Sequence, residues 1–176
     1  MAQFKTFEDG VEVKGETVLA FINGTPMERT ARQMLAENGI EDPQPEEWYL
    51  QQSYLDAFAE VADSVGENTV NRIGKKIPED ADWPPGIDSV VGGLESVNEA
   101  YQMNHRGGEI GSYDAEAIDE TTVQITCNNP YPCVFDRGLL KATAEQFVDR
   151  GVARVDEVGD SCRNEGGTDC VYEVTW

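Results

Sequence analysis

Hydrophobic residues in the first hundred positions recur at steps of three and four, which is the spacing of amphipathic helices. The most regular run covers residues 48–65. Shorter runs predict helices over residues 27–38, 69–77 and 87–104, and a short helix over residues 18–22, although that apolar run would also suit a buried strand. The first part of the chain is therefore expected to be mainly helical.

The helix over residues 27–38 also carries signals at both ends. Thr25 is a preferred capping residue, Pro26 suits the first helical position, and Gly39 is a common terminator. A loop with two prolines over residues 41–47 is expected to separate this helix from the next.

Other segments alternate between apolar and polar residues, as strands do when one face is buried. Strands are predicted at residues 11–13, 110–115, 121–127, 152–158 and 170–176. A helix is predicted over residues 137–149, with Asp136 as its cap, between the strands at 121–127 and 152–158. The chain is therefore predicted to form one α+β domain. Residues 1–106 are mainly helical, and residues 107–176 form a ββαββ unit whose four-stranded antiparallel sheet packs on helices.

Charge excludes some classes of function. The chain has 34 acidic and 13 basic residues, a net charge of −21, and the acidic residues are spread along its whole length. Such a surface is typical of proteins from salt-loving organisms, where high ionic strength screens the repulsion between like charges. Nucleic-acid binding is not expected, because phosphates are bound by Lys and Arg and the longest basic cluster is Lys75–Lys76.

The N-terminus does not resemble a signal peptide, because polar residues follow Met1–Lys5 where an apolar run would be needed. No run of about 18 apolar residues is present, so no membrane span is expected. We expect a cytoplasmic protein. In that compartment cysteines more often bind metal or stay reduced than form disulfides.

All four cysteines lie in the last third of the chain, on either side of one predicted helix. Cys127 and Cys133 precede this helix, whereas Cys162 and Cys170 flank a Gly-Gly turn after it. Cys133 is close to the positive end of the helix, where a thiolate is stabilised. If the segment folds back on itself, the sulfurs can meet in a metal site or in disulfides.

A structural zinc ion needs four tetrahedral ligands. Cys133, Cys162 and Cys170 would supply three of them, and Cys127, Glu157 or Asp160 could supply the fourth. The alternative is that Cys127 and Cys133 are buried thiols, while Cys162 and Cys170 form a disulfide or stay free.

This region resembles the small-molecule-binding domain of the 4-vinyl reductase family, which includes sensor domains of bacterial regulators of aromatic catabolism. The resemblance covers roughly residues 100–176. The residues that carry it are Cys133-Val-Phe-Asp-Arg-Gly138-Leu-Leu, Phe147, Val155-Asp-Glu157, Cys162, Gly166, Cys170 and Tyr172.

The resemblance to the 4-vinyl reductase family implies zinc beside a ligand chamber, held by Cys133, Cys162, Cys170 and a carboxylate from Asp160 or Glu157. In the family the acidic ligand stands three residues before the cysteine, and Gly159 occupies that place here.

The ββαββ end and the total length are also similar to the haem nitric-oxide/oxygen binding (H-NOX) domain. That family holds haem on a helical histidine about 30 residues before a Tyr-x-Ser-x-Arg motif. The one histidine here is His105, and Tyr131-Pro-Cys-Val-Phe135 stands near the expected place of the motif. Cys133 and Phe135 therefore replace Ser and Arg, and Arg137 follows two residues late. The resemblance implies haem on His105 as an alternative cofactor.

An enzyme is not expected, because a single histidine offers no Ser-His-Asp constellation and the Gly-Gly pairs are too scattered for a phosphate loop.

Our first hypothesis is a ligand-binding or sensory domain with a structural zinc. Its pocket would lie between helices and sheet and take a small apolar ligand. The domain would signal through a homodimer or another signalling protein. The alternatives are a haem-based gas sensor that uses His105 and an interaction adaptor without a ligand. Under the first hypothesis, Cys162→Ala lowers stability and releases metal, whereas His105→Ala has little effect.

Overall fold

The chain forms helices first and its larger sheet afterwards. A computed structural model describes residues 3–176. The elements are β1 (Glu12–Lys14), α1 (Gly15–Gly24), α2 (Glu28–Glu37), β2 (Trp48–Leu50), α3 (Gln51–Ser64), α4 (Glu67–Asp80), α5 (Val90–Glu95), α6 (Val97–Met103), β3 (His105–Arg106), β4 (Ser112–Asp119), β5 (Thr122–Asn128), α7 (Cys133–Glu145), β6 (Arg154–Glu157) and β7 (Cys170–Thr175). A 3-10 turn covers Arg163–Glu165, between β6 and β7.

The four C-terminal strands confirm the predicted ββαββ unit and its antiparallel sheet. The strand order is β4-β5-β7-β6, and every neighbouring pair is antiparallel. Alternate residues of the two central strands are buried, among them Ile125 on β5 and Tyr172 on β7. One face of the sheet therefore packs on the helices, as the alternation of apolar and polar residues predicts.

A second, three-stranded sheet was not predicted. It has the order β2-β1-β3, and both outer strands are antiparallel to β1. The prediction of a helix from Trp48 was wrong for residues 48–50, which pair with β1 before α3 begins at Gln51. Short strands of this kind depend on a partner from elsewhere in the chain, so local periodicity does not reveal them.

Two other predicted helices differ from the observed ones at their ends. The helix over 27–38 begins at Glu28, and the Thr25 hydroxyl donates to the carbonyl of Phe21. Thr25 therefore closes the C-terminus of α1 and does not cap α2. The helix over 69–77 is longer than predicted, because α4 runs from Glu67 to Asp80 and includes Pro78 in its last turn.

The predicted helix over 87–104 is divided into α5 and α6 at Ser96. The hydroxyl of Ser96 donates to the carbonyl of Gly93, which lies in the preceding turn, and accepts from the indole N–H of Trp83. Hydroxyl groups that bond to nearby backbone carbonyls compete with regular helix geometry.

The helix predicted over 137–149 begins earlier, at Cys133, and ends at Glu145. Pro132 occupies the capping position, with no side-chain cap, so the expectation that Asp136 caps this helix was wrong. Asp136 lies inside the first turns, where it is fully buried in an ion pair. The earlier start places Cys133 at the first position of α7.

Helices α4 and α7 pack closely because each presents a glycine to the backbone of the other. A Cβ atom added at Gly74 would lie 2.2 Å from the carbonyl oxygen of Phe135, and one added at Gly138 would lie 2.2 Å from that of Asn71. No side chain fits at such distances, so the two helix backbones can approach only at these glycines. The approach positions Phe135, whose ring lines the cavity described below.

A continuous core of buried hydrophobic residues connects the N-terminal helices to the inner face of the larger sheet. Within residues 3–176, none of the helices has both the length and the apolar character needed to cross a lipid bilayer.

Candidate functional site

A small cavity lies between the N-terminal helices and the larger sheet, and its volume is about 30 Å³. Aromatic and polar residues form one part of its wall: Thr17, Trp83, Tyr101, Asn104, His105, Tyr113, Tyr131 and Phe135. Aliphatic residues complete the wall: Ile77, Ala81, Val97, Ala100 and Leu139. This is the place predicted for a ligand pocket, but it has room for only about one or two water-sized molecules.

His105 and Tyr131 form a buried hydrogen-bonded pair in the wall of the cavity. The Nδ1 atom of His105 lies 2.8 Å from the carbonyl oxygen of Tyr101, and its Nε2 atom lies 2.7 Å from the hydroxyl of Tyr131. Because a carbonyl only accepts, Nδ1 carries the proton and donates it. Nε2 then has a lone pair and accepts from the phenol.

Both members of this pair are uncharged near neutral pH. Burial lowers the pKa of His105 from 6.5 to about 4, and the hydrogen bond to Tyr101 opposes the shift only in part. Burial also raises the pKa of the Tyr131 hydroxyl. His105 lies on β3, after α6 has ended at Met103, so it is a neutral core residue and not a charged partner of a helix end.

Aromatic rings pack around Tyr131 on several sides. The ring of Phe135 stacks on it with centroids 5.1 Å apart, while the rings of Tyr54 and Phe58 meet it edge to face at 6.0 and 5.9 Å. Such arrangements stabilise a core beyond the burial of apolar area. They also occupy the space between the helices and the sheet.

Thr17 adds a polar group to the mainly apolar wall. Its side chain is buried, with 4% relative exposure, and its Oγ1 atom has no hydrogen-bond partner among the described residues. Most buried hydroxyls have a partner, so an unsatisfied one beside a cavity favours a polar atom of a bound molecule at that point.

A cluster of three cysteines lies on the other side of the Tyr131–Phe135 segment. The Sγ atoms of Cys162 and Cys170 are within bonding distance and form a disulfide. The Sγ atom of Cys133 lies 3.2 Å from each of them. All three side chains are buried, and their sulfurs lie within 4.8 Å of one another.

The structure brings the sulfurs of Cys133, Cys162 and Cys170 together, whereas the three residues considered for the fourth position do not join them. Cys127 is a buried thiol opposite Cys170 in the β5–β7 pairing, but its sulfur does not join the group of three. Glu157 and Asp160 are exposed and do not join it either. Within residues 3–176, no fourth His, Cys, Asp or Glu ligand atom completes the set.

Hydrogen-bond donors surround the cluster. The backbone N–H of Arg163 donates to the Cys170 sulfur over 3.1 Å, and its Nε–H donates over 3.4 Å. Burial raises the pKa of the Cys133 thiol, while the guanidinium of Arg163 and the backbone N–H of Asn164 oppose that rise. These donors offset burial only in part, and the pKa of Cys133 stays above its ordinary value, so its thiol must lose its proton when it binds metal.

Arg163 also connects the cluster to the cavity, a role that the sequence analysis missed. Its guanidinium pairs with Asp136, and the two side chains are 1% and 0% exposed. It donates in addition to Asn129 and, over 2.9 Å, to the carbonyl of Tyr131. The hydroxyl of Tyr113, in the cavity wall, donates to Asp136 over 2.6 Å. The one signal for this role in the sequence is that Arg163 is the single basic residue between Cys162 and Cys170.

The start of α7 separates the two parts of the site. Tyr131 and Phe135 face the cavity, whereas Cys133 between them reaches the cysteine cluster. A shift of this short segment therefore affects both parts at once.

Comparison with known proteins identifies the fold but no family. No protein-family model and no curated protein matches the chain. Among solved structures, a mutant H-NOX protein from S. oneidensis in the Fe(II) ligation state has a TM-score of 0.68 at 13% identity, covering 92% of this chain and 95% of that one. The Fe(II) unliganded H-NOX protein from K. algicida gives 0.64 at 13% identity, with coverages of 92% and 95%.

A third solved structure concerns the modulation of haem redox potential through protein-induced porphyrin distortion. It has a TM-score of 0.61 at 15% identity. It covers 92% of this chain and 97% of that one. The chain therefore has the H-NOX fold. The similarity to 4-vinyl reductase domains is supported by none of these matches, and likeness at this level of identity does not transfer function.

The residues of this chain do not fit a haem in the observed arrangement. The cavity of about 30 Å³ is far smaller than pockets for drug-sized ligands, which measure about 300–1,000 Å³. Tyr131 already occupies the Nε2 atom of His105. Among the described residues no Lys or Arg lines the cavity, so no cationic side chain is placed there to bind the haem propionates. Phe135 faces the cavity, and Arg137 is exposed to solvent.

The burial of His105 predicts a loss of stability on acidification. Its folded pKa of about 4 lies below the unfolded value of about 6.5, so the unfolded state binds more protons between these values. Stability should therefore fall as pH drops from 7 to 5, with His105 contributing about 2 kcal/mol to the fall. Urea unfolding of the wild type and of His105→Gln at both pH values measures this contribution. Parallel pH profiles for the two proteins would contradict it.

The buried ion pair predicts a large effect of a small substitution. Asp136→Asn leaves the guanidinium of Arg163 buried without its counter-charge and should cost about 3–5 kcal/mol in the free energy of unfolding. The exposed pair of Arg154 and Asp156 provides the control, because Asp156→Asn should cost less than about 1 kcal/mol. Similar losses of unfolding free energy in both variants, measured by urea unfolding, would show that the buried ion pair contributes no more to stability than the exposed one.

Proposed function

We propose that this chain is a small-molecule-sensing domain, binding rather than catalytic, in which the cavity takes a compact uncharged ligand and the reduced cysteine cluster holds a structural zinc. The observation that carries the proposal is the shared segment Tyr131–Phe135. Its aromatic residues line the cavity, and Cys133 belongs to the cluster.

The chemistry of the wall supports an uncharged ligand. His105 is neutral, and within the described part of the chain no Asp, Glu, Lys or Arg lines the cavity. Aromatic rings provide apolar contact, while the hydroxyl of Thr17 can bind one polar atom. A charged ligand would lose its hydration here without gaining a counter-charge. A mainly apolar molecule no larger than about two water molecules, with one hydrogen-bonding group, suits this wall and the cavity volume of about 30 Å³.

The geometry of the three sulfurs supports zinc in the reduced protein. Zn–S bonds of about 2.3 Å in a tetrahedron place sulfur atoms about 3.8 Å apart. The Cys133 sulfur lies 3.2 Å from both other sulfurs, so reduction and a small outward movement would create such a site. Because the described residues offer no fourth ligand, water would take the fourth position.

A groove beside Cys133 would let the metal enter. Its volume is about 640 Å³, and Glu60, Asp63 and Glu67 contribute acidic side chains to its wall. These carboxylates would attract a divalent cation from solution. Zinc would then join Cys162 and Cys170 to the start of α7 and stabilise the cavity wall. The state of the cavity would be passed to a second copy of the chain or to another signalling protein.

A haem-based gas sensor is the second candidate, and the H-NOX fold of the chain favours it. His105 would be the iron ligand in that case. The small space around His105, with no cationic side chain among the described lining residues, favours the haem-free alternative. An adaptor without a ligand would need neither metal nor cavity.

Metal content separates these candidates. For protein purified in high salt with reductant and without chelator, elemental analysis should find about one zinc and no iron per chain. Cys162→Ala should lose the zinc and unfold at lower temperature, whereas Cys127→Ala should retain it, because the Cys127 sulfur lies outside the cluster. Zinc-free wild type, or equal zinc in both variants, would refute the metal site. One iron per chain would favour the gas sensor.

Xenon tests the cavity, because this atom enters small dry cavities in proteins. Under xenon pressure, methyl resonances of Thr17, Val97 and Leu139 should shift, since these side chains line the cavity. Ala100→Leu should abolish the shifts by filling the space. Ala62→Leu, in the separate groove beside Cys133, is the control. Shifts that persist in Ala100→Leu, or that are absent from the wild type, would exclude ligand binding at this cavity.

A further inference from the structure

The hydrogen bond between His105 and Tyr131 has a chemical consequence for cofactor binding. We propose that the hydroxyl of Tyr131 is the permanent partner of the His105 Nε2 atom, so that this chain uses the H-NOX fold without haem. The inference does not depend on zinc in the cysteine cluster.

The first argument is the number of lone pairs on His105. A neutral imidazole has one nitrogen that donates and one that accepts. The carbonyl of Tyr101 requires the proton on Nδ1, so Nε2 is the only nitrogen that could bind iron. That atom accepts from Tyr131 over 2.7 Å, and both side chains are buried. Iron could bind only after this contact is broken, which would leave a buried phenol unsatisfied.

The second argument is that Tyr131 cannot move aside alone. Its backbone N–H donates to Asn129 over 2.9 Å, and its carbonyl accepts from Arg163 over 2.9 Å. Its ring is enclosed by Phe135 and Phe58, at centroid distances of 5.1 and 5.9 Å. Rotation of the ring would therefore displace other packed rings, and close-packed cores resist such changes.

The third argument concerns charge and shape. A haem brings two carboxylates, and buried carboxylates need cationic or hydrogen-bonding partners. The buried guanidinium nearby belongs to Arg163, which is paired with Asp136. The cavity that the Phe135 ring lines measures about 30 Å³, which is too small for a porphyrin. The small volume of the cavity, the lack of a free cationic partner and the occupied Nε2 atom of His105 therefore each exclude haem.

Haem titration of the purified protein tests the proposal. Haemin and its dithionite-reduced form are added to the wild type and to His105→Ala, and the Soret band and the apparent Kd are followed. Any weak binding should be the same within about threefold in both proteins. Stoichiometric binding by the wild type, weakened at least tenfold in His105→Ala, would overturn the proposal.

A second measurement uses the intact side chain, because His105→Ala could fail to fold. Histidine ¹⁵N NMR of the wild type should show the Nδ1–H tautomer, with an Nε2 resonance that one equivalent of haem does not change. Tyr131→Phe removes only the hydroxyl, so Nε2 should shift downfield as its donor is lost. Tyr49→Phe, which removes a hydroxyl bonded to Gln44 and Glu47, is the matched control.

An Nε2 signal that moves with haem, or one that does not respond to Tyr131→Phe, would refute the internal pair. Failure of zinc to bind would leave this result unaffected. Haem binding through His105 would leave the zinc result unaffected, so the two proposals can fail separately.

Discussion

The buried ion pair of Arg163 and Asp136 is the interaction on which the rest of the site depends. Two charges without solvent must be satisfied by protein groups, and this requirement determines what can surround them. The guanidinium joins the turn after Cys162 to the backbone before α7, and the carboxylate accepts the hydroxyl of Tyr113 on β4. The cysteine turn, the start of α7 and the edge of the sheet are therefore held in one arrangement.

The same network explains how two unlike environments can lie so close together. On one side of residues 131–135, rings and a neutral histidine form an apolar cavity; on the other, donors surround three sulfurs. Hydrogen bonds of Arg163 connect the two sides, because its side chain donates to the Cys170 sulfur and to the carbonyl of Tyr131.

The H-NOX fold alone does not determine the chemistry of this chain. A common backbone arrangement can hold different side chains at the place where helices meet the sheet. Here Tyr131 approaches His105, and Phe135 stacks on Tyr131. Interior packing leaves little free volume once large rings occupy a site, so these side chains decide what the cavity can bind.

The sequence by itself determined the elements whose signals are local. Periodicity predicted the helices and the ββαββ unit, and cysteine spacing brought Cys133, Cys162 and Cys170 into one hypothesis. Only the tertiary structure decided the strand pairings of residues 48–50 and 105–106, the start of α7 at Cys133, and the partners of Arg163 and His105. A helix or strand pattern depends on residues that are neighbours in the sequence. A buried ion pair or a filled cavity depends on which distant segments meet, and no local period in the sequence shows which segments these are.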